Sequence, residues 1–341
     1  MSLMNKQTLI TVVFTILAVM LAPTAFAKTI KIATISPEGS SWVTEMRKAA
    51  EAISQATDNR VTLRFYPGGV MGNAQAVLKK MRLGQLHGAF LAGGALSHKA
   101  KDSQIYNLPL LFNDEAEVDY VRERMDASLE AMFAEAGLVN FGLLEGGFAY
   151  PMSKKPITEA DKLKNNKVWV PSNDKASEEA AKVFGLSPIP LSLGDVLAGL
   201  QTNLIDTVFA SPIAAVALHW HSQIKYVTDL KLLYFYGVLV LDQKVFSGLS
   251  AEDQMVVDRL LRETNQRLNA QNRVDNHDAL AAMQKQGITL VTPNPEQRAL
   301  WLSMSNQAIG RFLEAEHVSQ GIYDAITTHL NALRQNNKNA P

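Results

Sequence analysis

Thr29-Ile-Lys-Ile-Ala-Thr-Ile-Ser-Pro-Glu-Gly-Ser-Ser-Trp42 changes its period halfway. Residues 29–35 alternate apolar and polar side chains, which puts alternate positions on opposite faces of a strand. The polar Gly/Ser turn over Pro37–Ser41 follows, and then Trp42, Met46, Ala49, Ala50 and Ile53 recur at helical spacing. The pattern repeats at once. Arg60-Val-Thr-Leu-Arg-Phe-Tyr66 reads as a second strand ending at Pro67-Gly68-Gly69, a helix follows from about Asn73 to Leu83, and Leu86-His-Gly-Ala-Phe-Leu91 is a third strand closed by Gly93-Gly94. Strand–helix–strand–helix–strand order implies a largely parallel α/β sheet. Such sheets place ligands outside the carboxyl ends of their strands, near helix N-termini.

Further along, Val139–Leu144 and Lys167–Val170 read as strands, Lys175–Phe184 as a helix, Ser187–Leu191 as an extended segment, Leu193–Thr202 as a helix and Ile205–Ala210 as a strand. The chain is therefore expected to be α/β, with two units joined by strands that cross between them. Ser250 is a good N-cap, with Glu252 and Asp253 in the first turn after it. Helical periodicity then runs through Met255, Val256, Leu260, Leu261, Leu268, Leu280 and Met283 to Gly287, a good residue just past a helix end. That is about 36 residues, or roughly 55 Å at 1.5 Å per residue. Because the apolar spacing is not a strict heptad, a spine packed across both lobes is preferred to a coiled-coil seam.

Residues 1–27 read as a cleaved export signal: Lys6 is their single charge, an apolar run spans Leu9–Leu21, and Ala25-Phe26-Ala27 has the small-x-small form that signal peptidase cleaves. The run is short for a membrane span of roughly 20 residues. No later segment offers a long uncharged apolar run, so no stable membrane insertion is expected after cleavage. Charge is balanced, with 33 basic and 33 acidic residues, and stays within one charge of balance once Lys6 is removed. This argues against nucleic acid as a partner, which would call for a basic excess. The chain has no cysteine, which excludes a disulfide scaffold, a thiolate metal site and a cysteine nucleophile.

Seven histidines invite a search for a metal site. His219-Trp220-His221 is an i, i+2 pair whose side chains diverge on a helix, and no further ligand converges in sequence. Neither a metal nor a cofactor is expected. There is no Gly-x-Ser-x-Gly, no phosphate loop and no Gly-x-Gly-x-x-Gly after a strand. Gly93-Gly94 is better read as a close approach at a strand end.

Several segments together resemble the solute-binding subunits of TRAP transporters, the DctP-like family. The most specific is Ser192-Leu-Gly-Asp-Val-Leu-Ala-Gly-Leu-Gln-Thr-Asn-Leu-Ile-Asp206, a helix ending Leu-Gln-Thr before a strand with an Asp. Tyr66–Gly72, Leu83–Gly88, Leu108–Phe112, Lys154–Ile157 and Leu163–Pro171 match in the same order, and the resemblance covers nearly all of residues 28–330. It implies a two-lobed periplasmic binding protein fold with hinge strands and a long helix spanning both lobes. The expected division is a signal peptide at 1–27, lobe I at 28–149 plus about 237–285, lobe II at 150–236 plus about 286–333, and a polar tail at 334–341. It also implies that the lobes close on a small solute in the periplasm and deliver it to the large and small TRAP membrane subunits. A ligand that touches both lobes only when they are closed biases that equilibrium.

The departures bear on the ligand. The family usually has an Arg before Val-Pro, whose planar fork holds a carboxylate; here Trp169 stands there. A second Arg commonly follows Gly-Phe; here Gly147-Phe148 is followed by Ala149. Ser211 stands where an Asn is common. The ligand-facing segments of the family match Trp42, Asn73, Gln75, Phe148, Tyr150, Trp169, Ser211, Trp220, Tyr234 and Tyr236, which are aromatic and mostly neutral. Packing alone also explains Trp42, Trp169 and the tyrosines. As a ligand surface the set suits an apolar, ring-bearing or weakly polar solute rather than a simple organic acid. The alternatives are an organic-acid receptor with a relocated cationic clamp, an amine site using Glu145 with the aromatic faces, a receptor feeding a sensor, and an exported enzyme. The last has no identifiable nucleophile–base arrangement.

Overall fold

The structure is a computed structural model that describes residues 27–172, 177, 178, 181, 182 and 184–338. The expected signal peptide, apart from Ala27, lies outside the described residues, as do five of the ten residues of the helix expected over 175–184.

Ten strands are present among the described residues: β1 (Lys28–Thr34), β2 (Val61–Tyr66), β3 (Gly88–Ala92), β4 (Leu138–Ser153), β5 (Trp169–Pro171), β6 (Ile189–Leu191), β7 (Thr207–Ala210), β8 (Tyr226–Thr228), β9 (Leu233–Asp242) and β10 (Thr289–Val291). The α-helices are α1 (Ser41–Ala56), α2 (Ala74–Arg82), α3 (Glu115–Glu135), α4 (Val196–Gln201), α5 (Pro212–Ala217), α6 (Gln243–Ser247), α7 (Ala251–Lys285), α8 (Pro295–Glu314) and α9 (Gln320–Lys338).

β1 pairs in parallel with β2 and with β3, as the opening stretch predicts. β9 then runs antiparallel to β3, and β4 antiparallel to β9. The last residues of the long β4 leave that sheet. Tyr150–Ser153 pair with β7, and Met152 and Ser153 also pair with β8, which continues to β10. β4 is thus shared by two sheets and carries the chain between lobes. A parallel β5–β6 pair joins the second sheet through the Val168–Thr207 bridge.

Apolar burial follows these sheets. One face of the first sheet packs on α2, α3 and α9 through residues such as Val77, Val118, Phe133 and Ile326. Its other face packs on α1 and α7 through Val43, Met46, Val257 and Leu261. The second lobe has its own clusters, one around Trp169, Val208, Trp220 and Met283 and another around Leu163, Phe184 and Trp301. α7 is 35 residues long and capped by Ser250, whose side chain accepts the Asp253 N–H. Leu268 lies in a first-lobe cluster and Met283 in a second-lobe cluster, so the spine spans both lobes as expected.

The C-terminal segment differs from the expected division. The division by sequence assigned about 286–333 to lobe II, but Ile326 and Leu330 of α9 are buried in the first-lobe cluster. Ser319 is also tied to Asp102 through its N–H and its hydroxyl. The polar tail expected from Arg334 onward is helical as far as Lys338, because the Arg334 guanidinium is held by both carboxylate oxygens of Glu117 at 2.7 Å.

Candidate ligand site between the lobes

The carboxyl ends of β1 and β3 open onto an apolar wall of the first lobe. Ile35, Met71, Ala74, Val77 and Phe90 line a small crevice there, and Ile35 remains 38% exposed. Asn73 stands beside it as the cap of α2, its side-chain oxygen accepting the Ala76 N–H. Gln75 lies in the first turn of that helix. Trp42, in the first turn of α1, stacks on Phe90 with ring centres 4.4 Å apart and meets Phe65 edge-on at 5.7 Å. Its Nε1 is buried without a hydrogen-bond partner in the protein.

The second lobe contributes three of the candidate aromatics as one group. The Trp169 ring stands edge-on to Trp220 at 5.2 Å, and its Nε1 donates to the Leu191 carbonyl at 3.0 Å. Half-buried Tyr150 packs against this cluster and against the first-lobe core, at the point where β4 changes sheets. Burial, with the Glu115 and Asp229 carboxylates nearby, pushes its phenol up to about 12, so it is a neutral hydroxyl at physiological pH. Ser211 is buried at the start of α5 and gives its carbonyl to the Ala215 N–H.

Phe148, Tyr234 and Tyr236 are not part of that group. Tyr234 and Tyr236 point to the same face of β9 and lie in the first-lobe core, 1% and 2% exposed. Tyr234 meets Phe148 and Phe112 edge-on, and its hydroxyl accepts from Arg122. Tyr236 donates to the Ser103 carbonyl. Its ring occupies the space where a Gly93 side chain would be, since a Cβ there would lie 2.3 Å from the ring. The two tyrosines expected at the site are therefore core residues, and Gly93 is the close approach anticipated at that strand end.

Sequence reading missed the charges around this seam. Lys231 sits 4.7 Å over the Phe148 ring and is paired with Glu115 at 3.0 Å. Glu145 is neither solvated nor free for an amine. It is buried in a polar crevice of about 540 Å³ between α3, β4 and α7, and Arg273 Nε contacts its oxygens at 2.9 and 3.1 Å. Burial raises its carboxyl above the usual carboxylate range even with Arg273 and Arg122 opposing. Arg122 in turn is committed to Asp126, the Leu143 carbonyl and Tyr234. The motif residue Asp206 has a local role, accepting the Lys167 N–H at 2.9 Å and so joining β5 to β7.

Among the described residues no group of three or more His, Cys, Asp and Glu side chains is placed to hold a metal ion. His219 adopts a left-handed backbone conformation at φ 58° rather than continuing a helix. His221 Nδ1 lies 3.2 Å from the Ala215 carbonyl. No described helix is long and apolar enough to cross a membrane.

A two-sheet frame with a shared crossing strand, a helical spine and a cleft at the strand ends defines a two-lobed solute-binding protein. Residues 32–316 match the model of bacterial extracellular solute-binding proteins, family 7, and the chain belongs to that family. The 2,3-diketo-L-gulonate-binding periplasmic protein YiaO of Escherichia coli is 23% identical over 274 residues, covering 79% of this chain and 82% of the relative. The ectoine-binding periplasmic protein TeaA of Halomonas elongata is 27% identical over 203 residues, 58% of each chain. Among solved structures, a TRAP periplasmic solute-binding protein from Roseobacter denitrificans with bound β-D-glucuronate superposes with a TM-score of 0.81 at 18% identity, covering 88% of this chain and 99% of the other.

Proposed function

We propose that this chain is the periplasmic receptor of a TRAP-type transporter. In this reading residues 1–27 are removed on export, the lobes close on one small organic solute, and the loaded protein delivers it to the large and small membrane subunits without chemistry of its own. The proposed division keeps β1–β3, the first part of β4 and β9 in lobe I and β5–β8 with β10 in lobe II. α7 and α8 are shared and α9 belongs to lobe I. The solute is less acidic, or more hydrophobic, than the uronates and other acids named for the relatives.

One observation carries that choice of solute: Trp169 presents an indole whose single N–H is already spent on Leu191. The guanidiniums of Arg122 and Arg273 are engaged by carboxylates, Asp126 for the first and Glu145 for the second. A carboxylate buried against the apolar faces of Trp169 and Trp220 would lose hydration that those rings do not replace. Aromatic faces with a few hydroxyls favour a neutral or weakly polar ring.

A second reading rests on Lys231. Its ammonium lies over Phe148, and a ligand carboxylate competing with Glu115 for it would make a relocated clamp. Native mass spectrometry of protein purified from the periplasm, with denaturing release of what it carries, separates the two. A neutral or apolar molecule that is lost in Trp169→Arg supports the first reading. A dicarboxylate or uronate that is lost in Lys231→Met overturns it in favour of the second.

A further inference from the structure

α7 changes lobes through a polar stretch. Between Leu268, buried in the first lobe, and Ala279, the helix buries no side chain fully. Instead it turns a row of asparagines toward β4. Asn265 donates to the Phe141 carbonyl, and Asn269 accepts the Glu145 N–H and donates to the Leu143 carbonyl. Asn272 donates to the Glu145 carbonyl. These contacts fall where β4 and β9 slip register, between Asn140 and Leu143 and between Glu145 and Gly147. The slips leave backbone groups without a strand partner, and buried groups of that kind need one.

Asn276, the last of the row, differs from the others because it bonds to both lobes. Its amide nitrogen donates to the Gly146 carbonyl at 3.4 Å and to the Asn272 carbonyl at 2.9 Å. Its amide oxygen accepts the Ile213 N–H at 3.2 Å, two residues after Ser211. Gly147 has φ +85°, and a Cβ there would stand 2.7 Å from the Asn276 amide nitrogen, so the strand is built to admit this side chain. One side chain therefore joins the spine, the crossing strand ahead of Phe148 and Tyr150, and the amino end of α5 behind Ser211. Hydrogen bonds of this kind hold position without burying apolar surface that rotation would have to expose.

We propose that Asn276 is the positioning residue about which the two lobes turn, setting how the Phe148–Tyr150 segment meets the Ser211 segment across the cleft. This rests on the reading of the chain as a closing two-lobed receptor. The residue acts through those segments and need not touch the solute.

The cysteine-free chain allows a direct test. Spin labels at Glu51→Cys on α1 and Lys164→Cys in the second lobe report the interlobe distance by pulsed electron paramagnetic resonance on the ligand-free protein. Asn276→Ala should broaden the distance distribution about two-fold. Asn276→Asp, which keeps the acceptor for Ile213 and loses the donor to Gly146, should broaden it less. Asn265→Ala removes a bond made within the first lobe and should lower the melting temperature while leaving the distribution unchanged. Asn276→Ser carries the test if the alanine variant does not fold. The proposal is overturned if the Asn276 variants melt lower, as Asn265→Ala does, yet keep the wild-type distribution. An interlobe separation in the wild-type chain that is the same in ligand-free protein and in protein carrying its periplasmic solute would overturn the closing-lobe reading along with it.

Discussion

The indoles of Trp169 and Trp220 stand edge to face, 5.2 Å between ring centres and 73° between planes, with Trp169 8% exposed. The pair is thus a core contact of the second lobe at the start of β5. Trp169→Ala should cost about 3–5 kcal/mol, the range for truncating a large buried aromatic. Urea unfolding of the purified protein measures it, and a change below about 1 kcal/mol would remove the packing role argued for this ring. Trp169→Arg should destabilise as well, because it would place a guanidinium in an apolar cluster with Val208, Ala215 and Trp220.

Gly147 should not tolerate a side chain. Its φ of +85° is strained for any L-residue, and the Asn276 amide fills the adjacent space. Gly147→Ala is expected to lose about 1–3 kcal/mol. If the double variant with Asn276→Ala recovers part of that loss, crowding is separated from backbone strain, because only the crowding depends on Asn276.

Stability at mild acid should depend on Glu117. Burial raises its carboxyl, but hydrogen bonds from Arg334 and Asn113 outweigh that and hold it below the ordinary glutamate range. A depressed folded value means that the stabilisation is present above the unfolded value of about 4.3 and is lost as pH falls through the folded one. Glu117→Gln should therefore lower stability at pH 7 by about 1–2 kcal/mol, a figure kept small by water around the exposed side of Arg334. The gap to the wild type should narrow below about pH 4. Thermal melts across pH 3–8 check this, and a gap independent of pH would show that the ion pair does not anchor α9.

Ser250 caps the spine through the Asp253 N–H at 3.1 Å. Ser250→Ala should cost about 1 kcal/mol. Hydrogen exchange should localise the effect to the first turns of α7, leaving protection around Met283 unchanged.

Much of the frame was legible in the sequence because it depends on local period. The shift from alternation to helical spacing after Ile35 located β1 and α1, and the Ser250 and Gly287 signals bounded α7 to within a residue or two. The site was less legible. Trp169, Trp220 and Tyr150 do converge, whereas Tyr234 and Tyr236 turn into the first-lobe core, since strand direction alone does not say which face of β9 meets the cleft. Lys231, Arg122 and Arg273 drew no notice because surface-type charges carry no period, and their meaning lies in partners such as Glu115, more than a hundred residues away from Lys231. Three of the asparagines, Asn269, Asn272 and Asn276, did leave a trace, as a polar interval at helical spacing where the apolar stripe of α7 breaks between Leu268 and Leu280.

By itself, the sequence determined the α/β class, the order of strands and helices through β3, the length of the spine and the family, because periodicity, caps and motif order act over a few residues at a time. The tertiary structure alone decided that β4 belongs to two sheets, that α9 folds back onto the first lobe, and that Glu145 is spoken for by Arg273. It also decided that one asparagine reaches both lobes. Each of these follows from contacts between segments far apart in the chain, where burial and directional hydrogen bonding, rather than local pattern, select the partner.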